Sequence, residues 1–248
     1  MSTDRKELKR PDAVLKSLRE GFEWSQGHLT VLVIISIAVF VVAACWIGVS
    51  YYRSAKEEKA LLSYNEANRK FNQKFQEISK TKKDNTAEEL KSELNEINEV
   101  SETYPKTQAS LMANFQLGDF YLEQKKYPEA QWAYERTLKG GVHPFYRVLI
   151  YHSLGYLFEA SGQYPKAIEY FEKITTMQKK RILFWVFGYR PNAFWVTSAL
   201  FGIGRCYEKM SRWGDAKEIY TRIENQFAQT AFADRAQALS SLLSSKTP

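Results

Sequence analysis

The second half of the chain repeats one spaced pattern of glycine, alanine and aromatic residues three times. In each copy a Leu-Gly or Ile-Gly pair is followed by an aromatic residue, and then by an alanine with a second aromatic residue four positions beyond it. The copies occupy residues 117–134, 154–171 and 203–220. A unit of this size cannot bury its apolar face alone, so neighbouring units must stack. The pattern predicts a fold of stacked repeats.

Each copy is typical of two helices joined by a short turn. The first apolar residue and the aromatic residue four positions later share one face of a helix, and the glycine beside them lets a second helix approach. Pro128 and Pro165 suit the first turn of that second helix. Gly162 lies where the preceding helix should stop. These residues define a scaffold rather than a binding site.

The Leu-Gly pairs, the aromatic residues and the Ala-x3-aromatic pairs stand at the spacing of the tetratricopeptide repeat family, which residues 108–177 and 196–226 resemble. The resemblance implies an all-α fold, an α-solenoid of helix hairpins. The first two copies are 37 residues apart and the last two are 49 apart, so an insert, residues 178–195, lies between them.

A run of 21 residues without a charge, Leu29–Val49, precedes the repeats. As a helix it would be roughly 31 Å long, close to the thickness of the hydrocarbon core of a bilayer. Aromatic residues and an arginine, Arg53, follow it, as is typical of a membrane boundary. The sequence predicts one N-terminal transmembrane helix over residues 29–52, after a short cytoplasmic head over residues 1–28.

Two alternatives compete with a retained anchor. A cleaved signal peptide has an apolar stretch of only about 7–15 residues, and here 28 residues with five acidic side chains precede the run. The sequence Val42–Cys45 resembles a bacterial lipoprotein cleavage box, in which the cysteine is acylated. The apolar run continues past Cys45, which favours the retained anchor. The mass of the intact protein would distinguish a retained anchor from a chain cleaved and acylated at Cys45. The lipidated alternative is a periplasmic repeat protein of outer-membrane assembly or envelope maintenance.

The remaining residues also predict helices. Apolar residues at three/four spacing predict a helical hairpin over residues 53–107, a degenerate repeat. Residues 108–248 are expected to hold the three tetratricopeptide repeats, the insert and a C-terminal capping helix that begins at Thr230.

Composition argues against several classes of protein. The net charge is +7, but Lys and Glu alternate along the chain instead of forming the basic stripe of a nucleic-acid-binding surface. The three histidines are scattered, and neither a phosphate-binding glycine loop nor a nucleophile elbow is present. Cys45 and Cys206 do not make a disulfide framework. We therefore expect no enzyme activity, cofactor, metal or nucleic-acid partner.

The whole chain resembles the single-pass periplasmic tetratricopeptide family that is ancillary to the bacterial SecYEG translocon. The head segment 12–22, the single span and the hairpins carry this resemblance. It implies a protein of the inner membrane with its N-terminus in the cytoplasm and its repeats in the periplasm. The implied partners are translocon subunits, periplasmic chaperones or secreted clients, and the implied role is that of a chaperone-like, non-enzymatic adaptor.

The repeat family binds extended peptides or partner helices on the concave face formed by the first helix of each hairpin. The positions that carry over to this chain are Phe115, Asp119, Glu123, His152, Tyr156, Glu159, Phe201, Arg205 and Glu208. Their mixture of apolar and charged groups would suit an unfolded or amphipathic client. The alternative for each of these residues is that it belongs to a solvated helix face and binds no partner.

The insert is unusually aromatic. Its six rings belong to Phe184, Trp185, Phe187, Tyr189, Phe194 and Trp195. A segment this apolar should not face water without a reason. Either it folds back to cover the groove or a gap between repeats, or its rings are a contact surface for a partner or for the membrane interface.

Overall fold

The structure is a computed structural model that describes residues 13–81, 86–139, 144–177, 180–182, 185–187 and 190–244. Of the two short pieces in the insert, 180–182 and 185–187, only the backbone is described. The chain divides into two units, Met1–Ala55 and Lys56–Pro248.

The predicted all-α class is confirmed. The helices are α1 (Ala13–Gly27), α2 (Leu29–Thr81), α3 (Thr86–Glu89), α4 (Lys91–Thr103), α5 (Gln108–Glu123), α6 (Tyr127–Lys139), α7 (Pro144–Ala160), α8 (Tyr164–Thr175), α9 (Ala193–Lys209), α10 (Trp213–Gln226) and α11 (Ala231–Ser244). The insert adds two short antiparallel strands, β1 (Lys180–Ile182) and β2 (Trp185–Phe187), in which Lys180 pairs with Phe187 and Ile182 with Trp185. This small hairpin is the only strand structure among the described residues.

The first part of α2 has the length and composition of a membrane span. Its most apolar window of 18 residues has a mean hydropathy of 2.9, and none of that window is buried within the chain. No second helix in the described part of the chain has this character. The exposed apolar side chains match a lipid environment better than water.

The helix α2 does not end where the apolar run ends. The sequence predicts a span that ends at residue 52 and a new helix that begins at residue 53, but α2 continues to Thr81. The reason is local, because residues 49–81 contain neither glycine nor proline and are rich in Ala, Glu, Lys and Leu, which favour helix. The predicted span and the first helix of the degenerate repeat are therefore one continuous helix.

Within the second unit, the C-terminal part of α2 packs on α4 and α5. Three of its apolar side chains, Tyr64, Phe71 and Ile78, belong to one buried cluster with Leu94 and Ile97 of α4. Two direct bonds join the same helices. Lys70 of α2 contacts Glu96 of α4 at 2.8 Å, and Glu57 accepts a hydrogen bond at 2.7 Å from the first backbone amide of α5. This end of α2 is thus part of the solenoid.

Three helix hairpins follow, α5–α6, α7–α8 and α9–α10, and their turns share one backbone geometry. The residue seven positions after each repeat glycine has a positive φ: 58° at Lys125, 76° at Gly162 and 58° at Ser211. The next amide reaches back to the aromatic residue of the first helix, as Gln163 N–H does to the Phe158 carbonyl at 2.8 Å. This is a Schellman-type helix end. The predicted stop at Gly162 is therefore found, and the other two hairpins stop in the same way without glycine.

Aromatic rings lie directly on the repeat glycines. A Cβ added to Gly118 would be 2.5 Å from the ring of Tyr134, and one added to Gly155 would be 2.5 Å from the ring of Phe171. The other edge of the Phe171 ring lies against Gly202 of the next hairpin, where an added Cβ would be 2.6 Å away. The ring of Phe171 therefore fills the space between two consecutive hairpins.

We expect Gly202→Ala to lower the free energy of unfolding by about 1–3 kcal/mol, because the fully buried Phe171 ring must shift to admit the methyl group. The measurement is urea denaturation of the full chain, followed by circular dichroism. Gly214→Ala is the matched control, since nothing lies within 4 Å of its added Cβ and alanine favours helix. A control variant as unstable as Gly202→Ala would contradict the packing explanation.

Candidate functional site

An open cavity of about 460 Å³ lies in the second unit between α2, α5 and α7, on the face that the repeat resemblance predicts to be concave. We call it the groove. Its lining consists of Tyr64, Phe71, Asn72 and Phe75 of α2, Leu111, Met112, Phe115, Gln116, Asp119, Phe120 and Glu123 of α5, and Tyr146 and Leu149 of α7. The cavity is large enough for bulky side chains of a partner segment, and its surface is mainly aromatic and aliphatic.

Aromatic packing and a short polar chain hold the walls of the groove in place. The rings of Phe71 and Phe120 meet edge to face, with their centroids 5.7 Å apart. The hydroxyl of Tyr64 donates to Gln116 Oε1 at 3.0 Å, and Gln116 Nε2 donates to Asn68 Oδ1 at 2.9 Å. These bonds fix α2 against α5. The groove is therefore preformed rather than assembled by a ligand.

Three of the predicted concave-face residues, Phe115, Asp119 and Glu123, line the groove. The Phe115 ring packs 5.7 Å from the ring of Tyr134. The Tyr134 hydroxyl donates to Asp119 Oδ1 at 2.5 Å. Partial burial raises the pKa of the Asp119 carboxyl, the hydrogen bond from Tyr134 acts in the opposite direction, and the negative charge of Glu123 raises this pKa further.

The predicted residues of the second hairpin bind within the chain instead of lining the groove. Arg205 of α9 donates from Nε and Nη2 to the two carboxylate oxygens of Glu159 of α7, both at 2.8 Å. The guanidinium also lies over the Tyr156 ring, 5.3 Å from its centroid. Glu159 is only 16% exposed and Arg205 33% exposed. A bidentate pair of this kind fixes α7 against α9.

His152 belongs to the same contact between α7 and α9. Its Nε2 lies 2.7 Å from Ser198 Oγ, and its ring packs edge to face against Tyr156 and Trp195, at 4.7 and 5.2 Å between centroids. Burial, with a smaller contribution from the positive charge of Arg205, lowers the pKa of His152 to about 4. The imidazole is therefore neutral at physiological pH, which suits a packing role.

The last two predicted positions lie in the third hairpin. Phe201 is only 5% exposed, its ring covered by the guanidinium of Arg235 at 4.7 Å. Phe201 therefore offers little surface to a partner, because the Arg235 guanidinium and the Tyr220 ring lie against it. Glu208 accepts a short hydrogen bond from the Tyr220 hydroxyl. Both side chains contribute to packing between helices.

The structure describes the predicted aromatic contact only in part. Phe184 and Tyr189 lie outside the described residues, and Trp185 and Phe187 are described as backbone in β2. Asn192 caps the start of α9 by accepting from the backbone amide of Trp195 at 3.2 Å. The Trp195 ring then packs on His152, whereas Phe194 is 55% exposed. The two adjacent aromatic residues thus have different environments.

The sequence patterns did not predict the other walls of the groove. Met112 of α5, with Tyr146 and Leu149 of α7, lines it although none of them stands at a predicted contact position. Phe71 and Phe75 carry the apolar spacing of the predicted degenerate repeat, and that spacing was the available signal. The pairing of His152 with Ser198 had no such signal, because it joins residues 46 positions apart.

The described residues hold little that resembles catalytic chemistry. No group of three His, Cys, Asp or Glu side chains among them could hold a metal ion. Cys206 is buried, and burial raises the pKa of its thiol to about 12. A protonated, buried thiol is a poor nucleophile. The groove instead offers a cavity with apolar walls and two carboxylates, those of Asp119 and Glu123.

Comparisons with known proteins agree with this architecture. Sequence models of the tetratricopeptide repeat match residues 148–181 and 198–230. Two similar solved structures are of a Podosopora anserina protein described as a kinesin light chain with nearly identical TPR-like repeats. The first, a variant of that protein with a single substitution, is 14% identical, covers 75% of this chain and 85% of its own and has a TM-score of 0.51. The second is 16% identical, covers 75% and 86% and has a TM-score of 0.52.

No curated protein sequence matches the chain. At these identities the solved structures show the fold alone. Together with the two matched segments, they show that the chain contains tetratricopeptide repeats on an α-solenoid, a fold that is typically a non-catalytic scaffold for protein interactions.

His152 should make stability fall on acidification. The pKa of His152 is about 4 in the folded chain and about 6.5 in an unfolded one. Between pH 6.5 and pH 4 the unfolded chain therefore binds a proton that the folded chain does not bind, and acidification favours unfolding. The free energy of unfolding should fall less in His152→Gln than in the parent chain between pH 6.5 and pH 4. The expected difference is about 1–2 kcal/mol, a value reduced because the imidazole is partly exposed to solvent. The measurement is the free energy of unfolding against pH.

Ser198→Ala is the control for this prediction. It removes the hydrogen bond to His152 but leaves the burial that is the main cause of the lowered pKa. The pH dependence of Ser198→Ala should therefore resemble that of the parent chain. A pH dependence unchanged in His152→Gln would show that other groups cause the loss.

Proposed function

We propose that this protein is a membrane-anchored, non-enzymatic adaptor whose groove binds a segment of a protein client. The observation that carries the proposal is the open, mainly apolar groove between α2, α5 and α7. Elsewhere on the described concave face, between α7 and α9, side chains are engaged by the Arg205–Glu159 pair and the His152–Ser198 contact. The groove is thus a part of this face that leaves a lined apolar cavity available to a partner.

The apolar first part of α2 supports the role of an anchor. A single span holds the repeats at one membrane and so raises their local concentration relative to partners in the same membrane. We infer that the span is retained, with the N-terminus in the cytoplasm and the repeats in the periplasm of a bacterium. Support for this arrangement comes from the resemblance of head, span and hairpins to the single-pass family ancillary to the SecYEG translocon.

The same resemblance supports the choice of partner. We propose that the client is a secreted protein, a periplasmic chaperone or a translocon subunit, bound while part of it is extended or unfolded. A groove with aromatic walls suits such a segment, because exposed apolar side chains are what an unfolded chain offers. The role is chaperone-like, since binding covers apolar surface without any covalent chemistry.

The aromatic insert is a second proposed contact surface, next to its basic residues Lys179, Lys180 and Arg181. Among the described residues, the strands β1 and β2 pair only with each other. An isolated two-stranded hairpin is marginally stable in water, so further contacts are needed to order it. We favour a protein partner, with Trp185 near the contact.

A photo-crosslinking amino acid at Met112 tests the groove in native membranes. We expect a crosslinked product with a secreted protein or a translocon subunit, identified by mass spectrometry, because Met112 is half-buried in the groove wall. Adding Leu149→Gln should reduce the yield at least about fivefold, since it places an amide on the opposite wall. The same crosslinker at Trp132, which is 48% exposed on α6, is the matched control. An equal yield of this product from Trp132 would contradict the groove as the binding site.

The insert has its own crosslinking test. A photo-crosslinker at position 185 should capture a protein if the insert is a contact surface, and replacing Lys180 and Arg181 with glutamate should reduce that yield severalfold. Capture of lipid alone would indicate a membrane contact. If a crosslinker at position 185 captures neither protein nor lipid while one at position 112 captures a protein, the insert packs within the chain and is not a contact surface.

A further inference from the structure

The groove combines its apolar walls with an acidic end. Asp119 and Glu123 stand four residues apart on α5, so their side chains lie on one face of the helix, and both line the cavity. No lysine or arginine lines the cavity among the described residues. This composition is unusual for the chain, whose net charge is +7. The acidic end is therefore a local feature and not a consequence of overall charge.

These two carboxylates lack a positive partner of the kind that Glu159 has. Glu159, in the next hairpin, is neutralised by both donors of Arg205. Asp119 is bound by a neutral hydroxyl, that of Tyr134, and neither Asp119 nor Glu123 forms an ion pair within the described part of the chain. Like charges four residues apart on a helix repel each other. A cation from outside the chain would relieve that repulsion.

The position of the acidic pair at an apolar cavity specifies the ligand further. A free cation would gain the charge interaction but leave the walls formed by Phe75, Met112 and Leu149 exposed to water. An apolar segment without a cation would fill those walls but leave the carboxylates partly desolvated and unneutralised. A segment that carries both kinds of side chain satisfies both parts of the groove.

We propose that the groove binds protein segments in which large apolar side chains are accompanied by lysine or arginine, and that Asp119 and Glu123 select the positive charge. The inference rests on the proposed function, because it names the chemistry of the partner at the same site. Charge-assisted hydrogen bonds to carboxylates at the rim give selectivity, and the apolar walls give most of the affinity. Segments with acidic residues are rejected by repulsion.

Peptide binding to the full chain in phosphatidylcholine nanodiscs tests the inference. The probes are three fluorescein-labelled twelve-residue peptides with three leucines and two variable positions, both occupied by lysine, glutamine or glutamate. Fluorescence anisotropy should give a Kd for the lysine peptide at least about tenfold below that for the glutamate peptide. Higher salt should reduce this ratio, because the carboxylates are partly exposed.

The double variant Asp119→Asn, Glu123→Gln should reduce the ratio to less than about twofold. The amide oxygen that replaces the Asp119 carboxylate still accepts from the Tyr134 hydroxyl, so the packing of α5 on α6 is retained, and a thermal melt checks this. Glu129→Gln is the matched control, since Glu129 is exposed on α6 and does not line the groove. A ratio that survives in the double variant, or is lost in Glu129→Gln, overturns the inference.

The variant Leu149→Gln separates failure of this inference from failure of the proposed function. If the three peptides bind the parent chain equally and Leu149→Gln weakens all of them, the groove is a binding site without charge selection, and only the inference fails. If no peptide binds, or if Leu149→Gln and the double variant both leave binding unchanged, the inference and the groove as the partner site fail together.

Discussion

The contact of an aromatic ring with a backbone glycine holds each repeat hairpin together. The rings of Tyr134, Phe171 and Tyr220 occupy the space where the side chain of the facing residue would otherwise lie. Because that residue is glycine, the two helices can approach closely, and the ring fixes their separation and register. Phe171 also touches Gly202 of the following hairpin, so the same ring sets the spacing between hairpins. The positions of α7 and α9 relative to each other follow from that spacing.

This spacing decides which part of the concave face is available. Between α7 and α9 the helices are close enough for Arg205 to reach Glu159 and for His152 to reach Ser198, so polar groups there are satisfied within the chain. Between α2, α5 and α7 the side chains leave a cavity. The helix α7 thus has one side in a closed contact and the other in the groove. The groove therefore lies beside the C-terminal part of α2.

The sequence predicted the helices and the repeats well, and the site only in part. Residues at fixed offsets fill equivalent places in every hairpin, so the resemblance to the repeat family could point to Phe115 and Asp119, which line the groove. The burial of Phe201 could not be predicted, because it depends on contacts with Arg235 and Tyr220, which lie 34 and 19 residues further along the chain. The place of Leu149 in the groove wall was not predicted for a similar reason, since the other walls belong to α2 and α5, which are outside its own hairpin.

The sequence by itself determined the helical class, the hairpin units and the apolar run, because each depends on the order of side chains within about twenty residues. Only the tertiary structure decided which concave-face residues are available to a partner. That property depends on pairs such as His152 and Ser198, 46 residues apart, whose distance is set by how helices stack. It also decided the charge of the groove, because Glu159 has a guanidinium within reach and Asp119 has a hydroxyl instead. Stacking distances, and not residue types alone, separate a residue that packs within the chain from one that lines the groove.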